Sequence, residues 1–157
     1  MRAMHEVIIY TDGGAKGNPG PGGFAAVLLS GKHRKELNGG FAHTTNNRME
    51  LMAAIAAFET LTKPCQVRFF SDSKYLVDAI RKKWLEGWKK RAWKKADKKP
   101  VLNTDLWQRL DKAIKPHEIE WHWVKGHAGN QENERCDELV GMAIEKGNLV
   151  EDLGYGK

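Results

Sequence analysis

The sequence predicts an α/β protein: one mixed β-sheet with helices packed on its faces. Three observations carry this. Residues 6–41 hold short β-branched and aromatic runs separated by turn residues, the pattern of an antiparallel meander. RMELMAAIAAFETL, at residues 48–61, has helical composition and is apolar almost all round, so it is buried. Beyond it, strand and helix patterns alternate, which adds strands to the meander and covers the sheet with helices.

The elements follow in order. Residues 6–11 read as a strand, and residues 24–29 as a second after a glycine-rich loop. Residues 31–34 are a polar turn, and residues 35–41 a weaker strand solvated on one face. The helix at 48–61 precedes a fourth strand at 66–70 and a short helix at 74–83. A basic segment leads to Pro100, and a helix follows at 105–114. A fifth strand spans 118–124, with Ile119, Trp121 and Trp123 on one face. The loop KGHAGN then opens a last helix at 132–146, and the tail, residues 147–157, reads as loosely ordered. The order is βββαβααααβα or close to it, with no repeat, linker or second domain, so residues 1–157 are read as one domain.

The 157 residues suit one domain that buries roughly two-thirds of its unfolded surface. No apolar run approaches the ~18 residues a membrane span needs. The first residues, MRAMHEVIIY, lack the apolar core of a signal peptide. Cys65 and Cys136 lie far apart without CxxC spacing, so they are expected to be reduced and buried in a cytoplasmic protein. The net charge of +6 is uneven. Residues 81–99 hold ten Lys/Arg and two acids, while the rest holds sixteen Lys/Arg and eighteen acids. A basic patch on a mildly acidic body points to a polyanionic partner.

Four acids stand out. Asp12 closes the first strand, before GGAKGNPGPGG. Asp-Gly is a hairpin signal, yet apolar character returns only at Phe24, so a two-residue hairpin does not fit. Turn and site both remain open for it. Glu50 closes a capping box if Asn47 is the helix cap, but it shares an inward face with Ala54, Ala57 and Leu61. Asp72 reads as a helix N-cap. It also ends a strand, and would meet Asp12 at one sheet edge if the two strands are parallel neighbours. Asp137 has apolar Val140 and Ile144 on its helical stripe, while Glu134, Glu138 and Glu145 lie on the solvated side.

Converging carboxylates repel one another unless a divalent cation neutralises them, and carboxylates with water suit hard ions such as Mg²⁺. There is no zinc-spaced Cys/His cluster, GxxxxGK[ST] loop or GxSxG elbow. His127, between glycines in the loop before the Asp137 helix, can shuttle protons at the same edge; the plainer reading is polar surface. In the basic segment Trp84, Trp88 and Trp93 interleave with cations. A solvated amphipathic element is the plainer account, and salt-sensitive backbone binding to nucleic acid the better one.

These residues resemble bacterial ribonuclease H of type I over residues 7–155. The matching stretches are YTDGG, GNPGPGG, TTNNRMELMAAI, SDSKYL, WKKRAWKKADKKPVLNTDLWQRLD and WVKGHAGNQENERCDEL. The resemblance implies a five-stranded mixed sheet in order 3-2-1-4-5, flanked by helices. It implies endonucleolytic, two-metal-ion hydrolysis of the RNA strand of RNA/DNA hybrids, leaving 5′-phosphate and 3′-hydroxyl ends and removing RNA primers. It implies two Mg²⁺ per active site, with Mn²⁺ as an alternative, held by Asp12, Glu50, Asp72 and Asp137, with His127 as catalytic histidine. Substrate contacts fall on Asn18, Asn46 and Asn47, the last two near RNA 2′-hydroxyls, on Thr45 at a DNA phosphate, and on Lys74. They extend into the basic protrusion at Trp84, Trp88, Lys89, Lys90, Arg91, Trp93, Lys94 and Lys95. Position 74 is Lys where such proteins often carry Gln, and position 15 is Ala where Cys or Ser is common. A monomer without membrane contact is expected. A DNA-cutting nuclease and a non-cleaving nucleic-acid coat are the rival readings.

Overall fold

The computed structural model describes residues 5–125 and 130–156. Five strands, β1 (His5–Ala15), β2 (Gly20–Ser30), β3 (His33–Thr44), β4 (Cys65–Ser71) and β5 (Glu118–Trp123), form one sheet in the order β3-β2-β1-β4-β5. β1 to β3 are the antiparallel meander, while β4 runs parallel to β1 and β5 parallel to β4. The helices are α1 (Asn46–Thr60), α2 (Lys74–Arg81), α3 (Trp84–Lys90), α4 (Thr104–Ile114) and α5 (Gln131–Lys146). Three helices therefore separate β4 from β5, one fewer than the sequence suggested, because residues 91–99 after α3 form turns rather than a further helix.

Strand alternation sorts the apolar residues into two layers. Val7, Ile9, Leu28, Val67 and Phe69 pack with Leu51, Ile55 and Phe58 of α1 and with Trp107 and Leu110 of α4. On the other face Ala25 and Val27 meet Cys136, Leu139 and Val140 of α5. Both cysteines are buried and unbridged.

β1 does not stop at Asp12. Its parallel pairing with β4 ends at Thr11↔Ser71, but its antiparallel pairing with β2 continues through Asp12↔Ala25 to Ala15↔Gly22. Asp12 is a strand end on one side only, and Gly13, Gly14, Gly20, Gly22 and Gly23, which looked like loop, are strand, with the turn confined to residues 16–19. At Gly13 a side chain would strike the α1 backbone, its Cβ falling 2.7 Å from Glu50 N. At Gly23 a Cβ would fall 3.0 Å from the Val140 carbonyl of α5. Missing side chains here let helices from opposite faces press onto the carboxyl end of β1.

The tail, expected to be loosely ordered, is tied to the body. Ala42 N donates to Val150 O at 2.8 Å and Val150 N to Gly40 O at 3.3 Å. Asp152 then accepts from Arg48 Nε at 2.7 Å and from Thr44 Oγ1 at 2.7 Å.

Candidate active site

Caps place the acids. The N-cap of α1 is Thr45, not Asn47: its hydroxyl accepts from Arg48 N at 3.2 Å. Glu50 therefore lies beyond the capping-box position and closes no box. The N-cap of α2 is Ser73, not Asp72, with Oγ accepting from Leu76 N at 3.1 Å. Ser73 N is held in turn by Ser71 Oγ at 3.0 Å. The Asp72 carboxylate is thus released from capping duty.

Asp12, Glu50 and Asp72 each offer an oxygen, and these oxygens all lie within 4.8 Å of one another. The register explains the meeting. Asp12 and Asp72 each follow one residue of the last β1/β4 pair, Thr11 and Ser71, and α1 lowers Glu50 past Gly13. Asp137 joins them around an open cavity of about 460 Å³, also lined by Asn46, Asn47 and Lys74. Its side chain is exposed rather than inward, and it stands outside the tight trio. It is still near enough to add to the raised proton affinity of Asp12.

The charges are unbalanced. Burial, then the neighbouring Asp72 and Asp137, push Asp12 from an ordinary 3.8 up to about 7, against a hydrogen bond from the Gly13 amide. Burial, then Asp12 and Asp72, hold Glu50 well above the usual carboxylate range. Glu50 Oε1 is buried with no hydrogen-bond partner among the described residues. Ionising a buried carboxyl that faces two others, with an orphaned oxygen, is expensive. Hard-cation chemistry fits it: three carboxylates of close reach, on an open cavity that admits water and phosphate, can hold a divalent ion.

The hydrogen bonds around the cavity also engage the expected substrate-side residues. Asn46 Oδ1 accepts from Ala15 N at 2.7 Å, and Asn46 N donates to Asn18 Oδ1 at 2.9 Å. Asn47 is exposed on the rim. In the basic protrusion Trp88 is half-buried edge-on to Trp107, centroids 5.3 Å apart, and Trp93 also packs on the core. Trp84 is 45% exposed, with Lys82 Nζ over its ring at 5.5 Å. Lys89 pairs with Asp111 at 3.0 Å, Arg91 Nε donates to Lys94 O at 3.2 Å, and Lys95 lies 3.9 Å from Asp97. Lys90 and Lys94 are exposed. His127 lies outside the described residues.

Sequence reasoning missed two residues that support those lining the cavity. Arg48, 2% exposed, is clamped by Asp152 and by Asp105, its Nη1 and Nη2 reaching the Asp105 oxygens at 2.9 and 2.7 Å. Its partners lie 57 and 104 residues away, so no local signal marks the cluster. Trp123 Nε1 donates to the Asp72 carbonyl at 2.9 Å. Its place at the end of β5, level with Ser71, was the available clue. A larger hollow of about 570 Å³ lies between the C-terminal ends of α1 and α4. Its one lining acid, Glu59, is taken up by Arg109 at 2.7 and 2.8 Å, so the chemistry belongs to the acid cavity.

Comparison with known proteins agrees. The RNase H family model matches residues 4–145. Ribonuclease H of Rhodopseudomonas palustris is 58% identical over 151 residues, covering 96% of this chain and 100% of that one. Ribonuclease H of Edwardsiella ictaluri is 61% identical over 152 residues, covering 97% of each. The solved structure of LC9-RNase H1, a type 1 RNase H with the type 2 active-site motif, superposes with a TM-score of 0.83 at 31% identity, covering 93% of this chain and 75% of that one. LC11-RNase H1, solved in complex with RNA/DNA hybrid, gives a TM-score of 0.67 at 27% identity, covering 89% of this chain and 97% of that one. With its sheet order and its cluster of acids, the chain belongs to the RNase H family.

Proposed function

We propose that the chain hydrolyses the RNA strand of RNA/DNA hybrids in the acid cavity, endonucleolytically, leaving 5′-phosphate and 3′-hydroxyl ends and so removing RNA primers. The carrying observation is the trio Asp12, Glu50 and Asp72, from three separate elements, with oxygens within 4.8 Å. Family membership and the hybrid-bound relative support the substrate class.

Asp12, Glu50, Asp72 and Asp137 hold the divalent ions, two Mg²⁺ with Mn²⁺ as substitute. When bound, such ions make water acidic enough to attack and neutralise charge on the reacting phosphate. The raised proton affinity of Asp12 and Glu50 is the cost of holding this set without ions. His127 assists proton transfer or product release. Thr45 spends its hydroxyl lone pair on Arg48 N and keeps its O–H to donate to a DNA phosphate. Asn46 spends Oδ1 on Ala15 N and keeps its amide hydrogens for an RNA 2′-hydroxyl. Asn18 orients Asn46, and Asn47 contacts the same strand. Lys74 serves the RNA strand. In the protrusion, Lys89, Lys90, Arg91, Lys94 and Lys95 meet the DNA backbone, and Trp84 packs on sugar. Trp88 and Trp93 support that segment from the core side. Selection of hybrid over DNA duplex comes from the 2′-hydroxyl and helix shape.

The chain acts as a monomer in the cytoplasm. One chain carries the whole set of proposed groups, and the two unbridged cysteines suit a reducing compartment. No helix among the described residues is long and apolar enough to cross a membrane.

The test is a labelled RNA/DNA hybrid, a DNA duplex and an RNA duplex incubated side by side with Mg²⁺, with and without chelator. Cleavage of the hybrid's RNA strand alone, stopped by chelator, is expected. Equal cutting of DNA duplex, or intact hybrid after prolonged incubation, overturns the reading.

A further inference from the structure

Lys74 raises a question of its own. Its ammonium shares a cavity with three close acids, which would draw a flexible cation inward. The structure shows it elsewhere: Nζ lies over the indole of Trp123, 4.9 Å from the ring centroid. The same indole donates its N–H to the Asp72 carbonyl at 2.9 Å. Trp123 ends β5, and the next residue, Val124, is fixed by its N–H on Ser71 O at 2.9 Å. The ring is therefore held at one edge by the backbone of an acid-bearing turn, while its face carries the cation.

We infer that Trp123 is a positioning residue that holds the Lys74 ammonium at the cavity rim to grip a backbone phosphate of the strand being cut. Three features support this. Lys74 is exposed and lines the acid cavity two residues beyond Asp72, so it lies beside any strand whose phosphate reaches the acids. A lysine on a free stem samples many rotamers, and a cation–π seat narrows them before substrate arrives. The seat also keeps the ammonium off the carboxylates, leaving them open to a divalent ion.

The inference rests on the hybrid-cleaving reading, and its test separates the two. Labelled hybrid is titrated by fluorescence anisotropy in chelator, over a series of salt concentrations. The wild-type chain, Lys74→Met, Lys74→Arg, Trp123→Leu and the Lys74→Met/Trp123→Leu double variant are compared. Loss of one phosphate contact flattens the plot of log K against log salt by about 1. Lys74→Met should flatten it by about that much, Trp123→Leu in the same direction by less, the double variant no further than Lys74→Met, and Lys74→Arg should keep the wild-type slope. A merely structural role for Trp123 lowers folded protein and leaves the slope alone. As a check on the unmodified protein, the Trp123 ring current should shift the Lys74 ε-methylene protons upfield in the NMR spectrum and the hybrid should perturb them. A wild-type slope in either single variant, or Lys74 protons at their unstructured position, overturns the inference. A wild-type chain that neither binds nor cuts hybrid overturns the functional reading instead.

Discussion

Two residues in the first turns of α1 carry buried charge, and they live in opposite conditions. Arg48 meets Asp105 and Asp152 in paired hydrogen bonds and adds Asn103 Oδ1 at 3.3 Å. Glu50, two positions on, meets Asp12 and Asp72 and leaves Oε1 without a partner among the described residues. The first cluster is one cation between two anions, with the donors engaged. The second gathers like charges. A satisfied buried charge fixes structure, whereas an unsatisfied one seeks a ligand. The two are linked: Arg48 anchors the helix turn that presents Glu50, and the tail through Asp152 anchors Arg48.

The comparison breaks most sharply at Asp12→Asn. Under the proposed reading this change removes several kcal/mol of charge stabilisation in the reaction, a loss on the order of 1000-fold in hybrid cleavage. It should not weaken folding, because it removes repulsion. Cleavage assays beside urea melts check both halves, and near-normal turnover would remove Asp12 from the mechanism. Arg48→Met should do the reverse. Removing the cation leaves Asp152 buried against α1 without its partner, a loss of about 3–5 kcal/mol in unfolding free energy. An unchanged urea midpoint would show the clamp to be idle.

A divalent ion sharpens the contrast next. At ~100 times its dissociation constant it should stabilise the wild-type fold by about 2.7 kcal/mol, read as a rise in Tm. Asp12→Asn should lose most of that rise, and Asp152→Asn should keep it. Equal ion-induced rises in all three proteins would place the ion elsewhere.

Much of this was legible in the chain, for physical reasons. Strands and helices announce themselves by period, so the meander, the buried helix and the sheet with helices on both faces could be read from residues 6–61 and their sequel. The convergence of Asp12 and Asp72 followed once β1 and β4 proved parallel. Local ambiguity hid the rest. Asn47 and Thr45 are both good caps, as are Asp72 and Ser73, and only tertiary placement chose between them. The glycines after Asp12 signalled a loop, but Gly13 and Gly23 are strand where helices cross closely. The Arg48 clamp spans β3, α1, α4 and the tail, and no window of sequence contains it.

The smallest effect is the dependence on pH, and the two clusters should oppose each other there. Asp12 has its pKa raised from 3.8 to about 7 by burial and by Asp72. Between those values the folded chain holds a proton that the unfolded chain has lost, so the ion-free fold weakens as pH rises through that window. For Asp152, burial pushes upward, but the hydrogen bonds from Arg48 and Thr44 outweigh it and leave the carboxyl below 3.8. Asp105 is lowered by Arg48 in the same sense. Their stabilisation is present above the ordinary carboxylate range and is lost as pH falls through it. Urea midpoints in chelator from pH 3 to 8 should therefore show Asp12→Asn gaining on the wild type from about pH 4 to 7. The deficit of Asp152→Asn should shrink below about pH 4. Divalent ion should close the first gap and leave the second, because only the acid cluster has an unfilled demand for positive charge. Parallel profiles for wild type and Asp12→Asn would mean that the acids around Glu50 do not feel one another, and the distinction between the two clusters would fall.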